Sequence, residues 1–431
     1  MGTHFERQGS GLPIPLPVSR FPFSLCLALW LALSASARGQ EWPQWRGHQR
    51  DGQVRDVTLP QEWPDRLSLL WKVEVGSGHS SPLVRGSRIY LHTRRGGQEV
   101  VQCLNLQDGA TLWSDSYAAP YRMNSSARSH GPGPKSTPAL GSDHLVTLGI
   151  SGILSGYSAA DGTLLWRKDP SRQFPRTSPL FGTASSPLMA DGRVYVHWGG
   201  HGKGAIAALD PQSGEEQWSW EGDGPAYASP ILAQWQGVRQ LVTQTQQMVV
   251  GLSQASGELL WSIPFTTDYV QNSITPLIAE GRLIVSGLDN GTRSMLPVRQ
   301  AGRWSLQQAW ANPQVSFYMS TPVVVQGRIC GLADRRAGQF VCLDASDGKV
   351  VWESPGRQGE NAALLAVGQV VLGLNDVARL TVFQSTSEGL QLLKEYGVAR
   401  SQTWAHPVLL QDRLLIKDRE HLQLWSLKGA E

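Results

Sequence analysis

From about residue 67 onward, apolar and polar positions alternate in short runs broken by glycine, proline and Asp-Gly pairs, a pattern that predicts many strands joined by tight turns. The most regular signal is a turn glycine followed four residues later by tryptophan. It occurs as Gly109 and Trp113, Gly162 and Trp166, Gly214 and Trp218, Gly257 and Trp261, and Gly348 and Trp352. A second marker, Ser or Thr followed by proline and an apolar run, opens each unit at Pro82, Pro138, Pro187, Pro230, Pro276 and Pro322, with the variant His406-Pro407 later. Between the two markers lie a second strand, such as Arg193 to His197, and a third ending in Leu-Asp, such as Ala208-Leu209-Asp210. Asp-Gly between β-rich runs is a strong hairpin signal, because a type I′ turn needs positive φ at both central residues. Each unit therefore reads as a four-stranded antiparallel meander.

The markers recur about every 46 residues, a period that indicates a repeat architecture. With a degenerate unit placed near Ala363, the chain holds eight units. One such sheet cannot bury both faces, and stacking sheets around an axis solves this, so the expected fold is an all-β, eight-bladed β-propeller. The last unit lacks a Trp-bearing strand, while Leu67 to Val73, carrying Trp71, precedes the first unit without a blade of its own. Pairing the two ends is expected to close the ring and remove open sheet edges. The fifth and seventh units lack the Asp-Gly-to-Trp pattern and are expected to be the least regular.

These motifs, together with the opening Trp42-Pro43-Gln44-Trp45-Arg46-Gly47, resemble the pyrroloquinoline-quinone-like (PQQ-like) β-propeller repeat family over residues 42 to 429. The resemblance implies that Trp71, Trp113, Trp166, Trp218, Trp261 and Trp352 dock each blade on its neighbour. Members of the family range from quinoprotein alcohol dehydrogenases to the propeller subunit of the outer-membrane barrel-assembly machinery, so the likeness speaks to fold more than to function.

Composition and charge narrow the partners. The 46 Gly and 26 Pro suit turns and strand starts, and a net charge of +3 without a basic run gives no footprint for nucleic acid. Arg7 and Arg20 precede an apolar run from Phe21 to Ala35, followed by small residues around Ala37, the order of a cleavable secretory signal. The run is shorter than a membrane span, so no stable span is expected after cleavage. The expected organisation is a signal over 1–37, a lead segment over 38–66 and the propeller over 67–431, in a monomeric protein exported to the periplasm or secreted. Cys103, Cys330 and Cys342 remain after Cys26 is removed with the signal, too few for a disulfide framework. Cys330 and Cys342 could face each other across a hairpin as a disulfide or as two buried thiols, and the thiols are the preferred expectation.

The default binding place is the mouth of the central channel, lined by residues just before the innermost strands. Counting three back from each strand opening gives His79, Lys135, Ala184, Tyr227, Ser273, Met319, Glu360 and Trp404, with Asn272, Tyr318, Asn361 and His406 close by. That set suits a small polar or planar ligand. Quinone chemistry would need oxygen ligands for Ca²⁺ and, in the family's dehydrogenases, an adjacent Cys pair; the set offers Glu360 and Asn361, and the chain has no such pair. His197 and His201 lie in a Gly-rich hairpin rather than on a helix, so zinc is not expected, nor is any catalytic triad. The expectation is a non-catalytic scaffold, with no cofactor, that binds another envelope or secreted protein. The alternative is a PQQ- and calcium-dependent dehydrogenase or a small-ligand binder using the channel.

Overall fold

A computed structural model describes residues 41–429; the signal expected over 1–37 lies outside the described residues. The strands form eight antiparallel sheets in chain order, an eight-bladed propeller with almost no helix. Blades 1 to 7 span 83–118, 139–168, 188–220, 231–264, 277–312, 323–353 and 362–397. Blade 8 joins three strands over 408–426 to Ser68–Glu74, which runs antiparallel to His421–Ser426 with Glu74 opposite His421. Blade 1 carries an extra strand, Glu41–Trp42, on its innermost edge.

The Ser/Thr-Pro marker has a physical role that spacing alone did not show. The backbone N–H of Ser81 donates to the Thr137 hydroxyl at 3.0 Å, Thr137 N–H to Ser186 at 3.0 Å, and Ser186 N–H to Ser229 at 2.9 Å. Ser229 N–H then donates to Thr275 at 3.0 Å, and Thr275 N–H to Thr321 at 3.2 Å. His406 N–H donates to Ser81 at 2.7 Å, so a belt of hydrogen bonds runs round the inside of the ring from blade 8 through blade 1 to blade 6. The following proline has no N–H and limits the inner strand, which is three residues long in blades 1, 3, 5, 6 and 8.

The turn glycines and tryptophans meet between blades. The ring of Trp113 occupies the space a Cβ on Gly162 would need, and the same holds for Trp166 with Gly214, Trp218 with Gly257, and Trp352 with Gly389. Trp71 lies against Gly109 in the same way, and donates its indole N–H to the Leu106 carbonyl at 3.1 Å. In all eight blades the outer pair of strands carries a register shift at the residue just before this tryptophan position. A bulge re-aims the next side chain and twists the exposed edge strand away from edge-to-edge pairing.

Three expectations need correction or extension. Blades 5 and 7 depart from the repeat by length: Gly291–Gln300 with Arg303–Asn312, and Arg379–Thr386 with Gly389–Gly397, are the longest outer hairpins. In blade 5 the turn is supplied by Ala301 and Gly302 at positive φ, and Trp310 lies against Gly348 of blade 6 with its N–H on the Ala345 carbonyl. Trp261 behaves differently, donating to Gln240 of its own blade while packing in the cluster shared with Leu283 and Val285 of blade 5. Finally, Cys330 and Cys342 are directly opposed on adjacent strands and are joined as a disulfide, not held as two thiols, because that register brings their Cα atoms to 4.1 Å. Cys103 is a buried free thiol.

Candidate functional site

Two features build the site: the ring of residues entering the inner strands, and a strap from the N-terminal segment that crosses beneath them. The strap touches blades on opposite sides of the ring. Leu140 N–H of blade 2 donates to the Pro43 carbonyl, and Met189 N–H of blade 3 to Gln44 Oε1. Arg50 donates to the Pro187 and Ser186 carbonyls of blade 3, at 2.6 and 3.0 Å. Arg46 reaches the Thr321 and Pro322 carbonyls of blade 6, at 2.8 and 2.6 Å. Val54 N–H and the Gly52 carbonyl pair with Ala366 of blade 7. Gly52 (φ +73) must be glycine, since a Cβ there would meet Val323 and the Arg46 guanidinium.

Above the strap lies a cavity of about 330 Å³ to which all eight blades contribute. His79, Lys135, Ala184, Tyr227, Ser273, Met319 and Trp404 line it, as do Tyr318, Asn361 and His406. Two predicted residues do not. Glu360 lines a neighbouring groove with Val377 and Arg379. Blade 7 lacks the strand-limiting proline, its inner strand Ala362–Val367 is longer, and Asp376 holds the N–H groups of both Glu360 and Asn361, so the three-residue count misses there. Asn272 is buried, its amide donating to the Thr245 and Phe265 carbonyls at 2.7 and 2.8 Å, and so braces a loop.

Sequence reasoning missed Trp45, which lines the cavity from the strap and meets the His406 ring edge-on at 5.8 Å. It also missed His130, Phe181 and Gln271, which come from inter-blade loops with no repeat register to mark them. His79 Nε2 lies 2.9 Å from the His130 carbonyl, and the His130 ring packs on Trp404 at 4.6 Å. Lys135 donates to the Phe181 carbonyl, and the Tyr227 hydroxyl accepts from Phe181 N–H.

The electrostatics are one-sided. Burial holds the His79 and His406 imidazoles well below their usual range, and that of His130 lower than usual, so all three are neutral at pH 7. Burial also pulls Lys135 down to about 8. Beneath the cavity, Arg46 is lowered to about 10 and Arg50 to about 9, each by burial first. No Asp or Glu among the described residues lines the cavity. A calcium ion takes 6–8 oxygens, mainly from carboxylates and carbonyls. The lining, one lysine and three neutral imidazoles with only neutral hydroxyl and amide oxygens and no carboxylate, does not fit calcium-held PQQ, and no reaction step is derived through that group.

The fold is shared by proteins of different activity, so likeness in sequence decides the family. The model of the family described as outer membrane protein assembly factor BamB matches residues 97–354. The chain belongs to that family. A relative named outer membrane protein assembly factor BamB in Bordetella pertussis is 26% identical over 385 residues, covering 84% of this chain and 89% of that protein. One of the same name in Kangiella koreensis is 34% identical over 119 residues, 27% of this chain and 26% of the relative, so the chain matches about a quarter of that protein's length. Among solved structures, BamB from Moraxella catarrhalis superposes with a TM-score of 0.60 at 13% identity, covering 85% of this chain and 99% of that one. A quinohemoprotein alcohol dehydrogenase from Pseudomonas putida gives 0.65, also at 13%, covering 91% and 81%. Identities this low speak to the propeller fold alone.

Proposed function

We propose that this chain is a non-catalytic propeller scaffold in the cell envelope that binds a protein partner of outer-membrane assembly. Family membership over 97–354 carries the reading, and the relatives' name supplies its direction. Export through the signal at 1–37 would deliver it to the periplasm. The tryptophan contacts between blades would keep the ring rigid, so that its loops present a fixed surface. One loop is built for contact: Tyr269 is 72% exposed and sits at positive φ next to Val270, also at positive φ, a costly conformation for a β-branched residue. Leu180 and Leu288 line the groove beside it.

A photo-crosslinking residue placed at 269 in the exported protein tests the proposal. The expected product is a discrete adduct with an outer-membrane assembly protein, lost when Val270 is replaced by aspartate. No adduct at 269 or at neighbouring loop positions, in cells whose outer-membrane protein content is unchanged by deleting the gene, would overturn it. The quinoprotein alternative makes the opposite forecast: saturable binding of PQQ with Ca²⁺ and dye-linked alcohol oxidation.

A further inference from the structure

We infer that the axial cavity is a binding site for a small free acid, a single carboxylate carried on a flat apolar body, held without a metal ion. Three observations converge on it.

Charge comes first. Lys135 is the one cation among the described lining residues, and no carboxylate stands opposite it. Behind the wall, Arg46 and Arg50 place their guanidinium carbons 5.5 and 5.8 Å from the Trp45 ring centroid, and the buried Lys417 ammonium donates to Gly78 O, next to His79. Buried cations satisfied largely by carbonyl oxygens lose hydration. Arg46 has Asp51 nearby and Lys417 has Asp418 and Glu420, but Lys135, held by the Phe181 carbonyl, gains no counter-charge. An anion in the cavity would supply one. A single lining cation matches a monoanion; a phosphate dianion would keep an unmatched charge.

Unspent hydrogen-bonding groups come second. His406 Nδ1, Asn361 Oδ1 and Trp404 Nε1 all belong to lining residues and are buried with no hydrogen-bond partner. Buried polar groups without partners are rare in native proteins and costly. The indole N–H is an obligate donor, and the imidazole and amide present donors by tautomer and by amide rotation. All three sit within the wall of the cavity that Lys135 also lines, and rotation of these side chains would turn them toward a carboxylate beside Lys135.

Shape comes third. Trp45, Phe181, Tyr227 and Trp404 supply apolar rings around the space, and about 330 Å³ lies at the small end of ligand pockets. With the strap beneath, that room suits a bicyclic acid of about a dozen non-hydrogen atoms rather than a peptide. The inference does not depend on the scaffold reading, since a partner surface on the loops and an axial ligand can coexist or fail separately.

The test is calorimetric titration of the exported protein with 2-naphthoate and indole-3-acetate in EDTA, each against its neutral amide. Saturable one-to-one binding is expected for at least one acid, at least tenfold weaker for its amide and for the Lys135→Met protein. Trp404→Phe, which keeps an aromatic ring and removes the N–H, should weaken the acid about threefold or more, and the acid more than the amide, because a donor to a carboxylate is the stronger bond. Thermal melting establishes that both variants are folded, and if Lys135→Met is not, the acid-to-amide ratio on the native protein decides alone. The inference is overturned if neither acid gives saturable heat up to about 5 mM, if acid and amide bind equally, or if binding appears only when Ca²⁺ is restored.

Discussion

Replacing Arg46 with methionine measures what the strap contributes to the ring. Arg46 is fully buried, and its guanidinium donates to the carbonyls of Thr321 at 2.8 Å, Pro322 at 2.6 Å and Asp51 at 3.0 Å, with a longer contact to Arg50 O at 3.4 Å. A hydrogen bond from a charged donor contributes about 1.5–3 kcal/mol net, so the three short ones together stabilise by about 6 kcal/mol. Against this stands the burial of the charge. A pKa lowered from 12.5 to about 10 means the charged form is disfavoured by about 3 kcal/mol at neutral pH, and methionine escapes that cost. The expected net loss is about 3 kcal/mol. For a chain of this size, with a urea dependence of about 3 kcal/mol/M or more, the unfolding midpoint should fall by roughly 1 M. Arg46→Lys should land between, because a point-charge ammonium cannot span the Thr321 and Pro322 carbonyls as a planar fork does. If the methionine variant unfolds within about 0.2 M of the native midpoint, or if lysine restores it fully, the strap is not fastening blade 6.

Three further outcomes follow from particular contacts. Thr137→Val keeps shape but leaves the buried Ser81 N–H without its acceptor, and should cost about 1–3 kcal/mol in the same urea assay, whereas Thr137→Ser should cost little. Acid should destabilise the ring from about pH 6.5 downward: burial holds His197 at about 4, so the unfolded chain takes up a proton that the folded one refuses. Stability from this group is complete above 6.5 and lost toward 4, up to about 3 kcal/mol; His197→Asn should flatten that part of the pH profile. Replacing both Cys330 and Cys342 with alanine should cost about 3 kcal/mol, for a bridge whose ends are 12 residues apart, and mass mapping before and after reduction should show these two joined and Cys103 free.

The fold was legible because each blade announces itself locally. A turn glycine, a tryptophan four residues on and a Ser/Thr-Pro step are all short-range signals, and each sits at a contact: tryptophan on the next blade's glycine, hydroxyl accepting the preceding blade's N–H. What the residues touch was less legible, since the belt links positions about one repeat apart and nothing within one unit names the donor. Trp310 was missed as a blade contact for a related reason. Its hairpin is longer, so the fixed count from glycine to tryptophan fails although the bulge before the tryptophan is kept.

The site divides along the same line. Seven of the eight positions counted back from strand openings line the cavity, because the proline fixes where each inner strand begins. The count fails at Glu360, where there is no proline, and that failure changes the chemistry: the one carboxylate expected at the mouth is absent from it, and a site that could have been imagined around calcium becomes cationic. Trp45, Arg46 and Arg50 were outside the repeat logic altogether, for they come from a segment used once. Yet their composition held a clue. Two arginines beside tryptophan in an aperiodic stretch, burying their charges against carbonyls of opposite blades, are what a chain needs to cross an eightfold ring of backbone and close it from beneath.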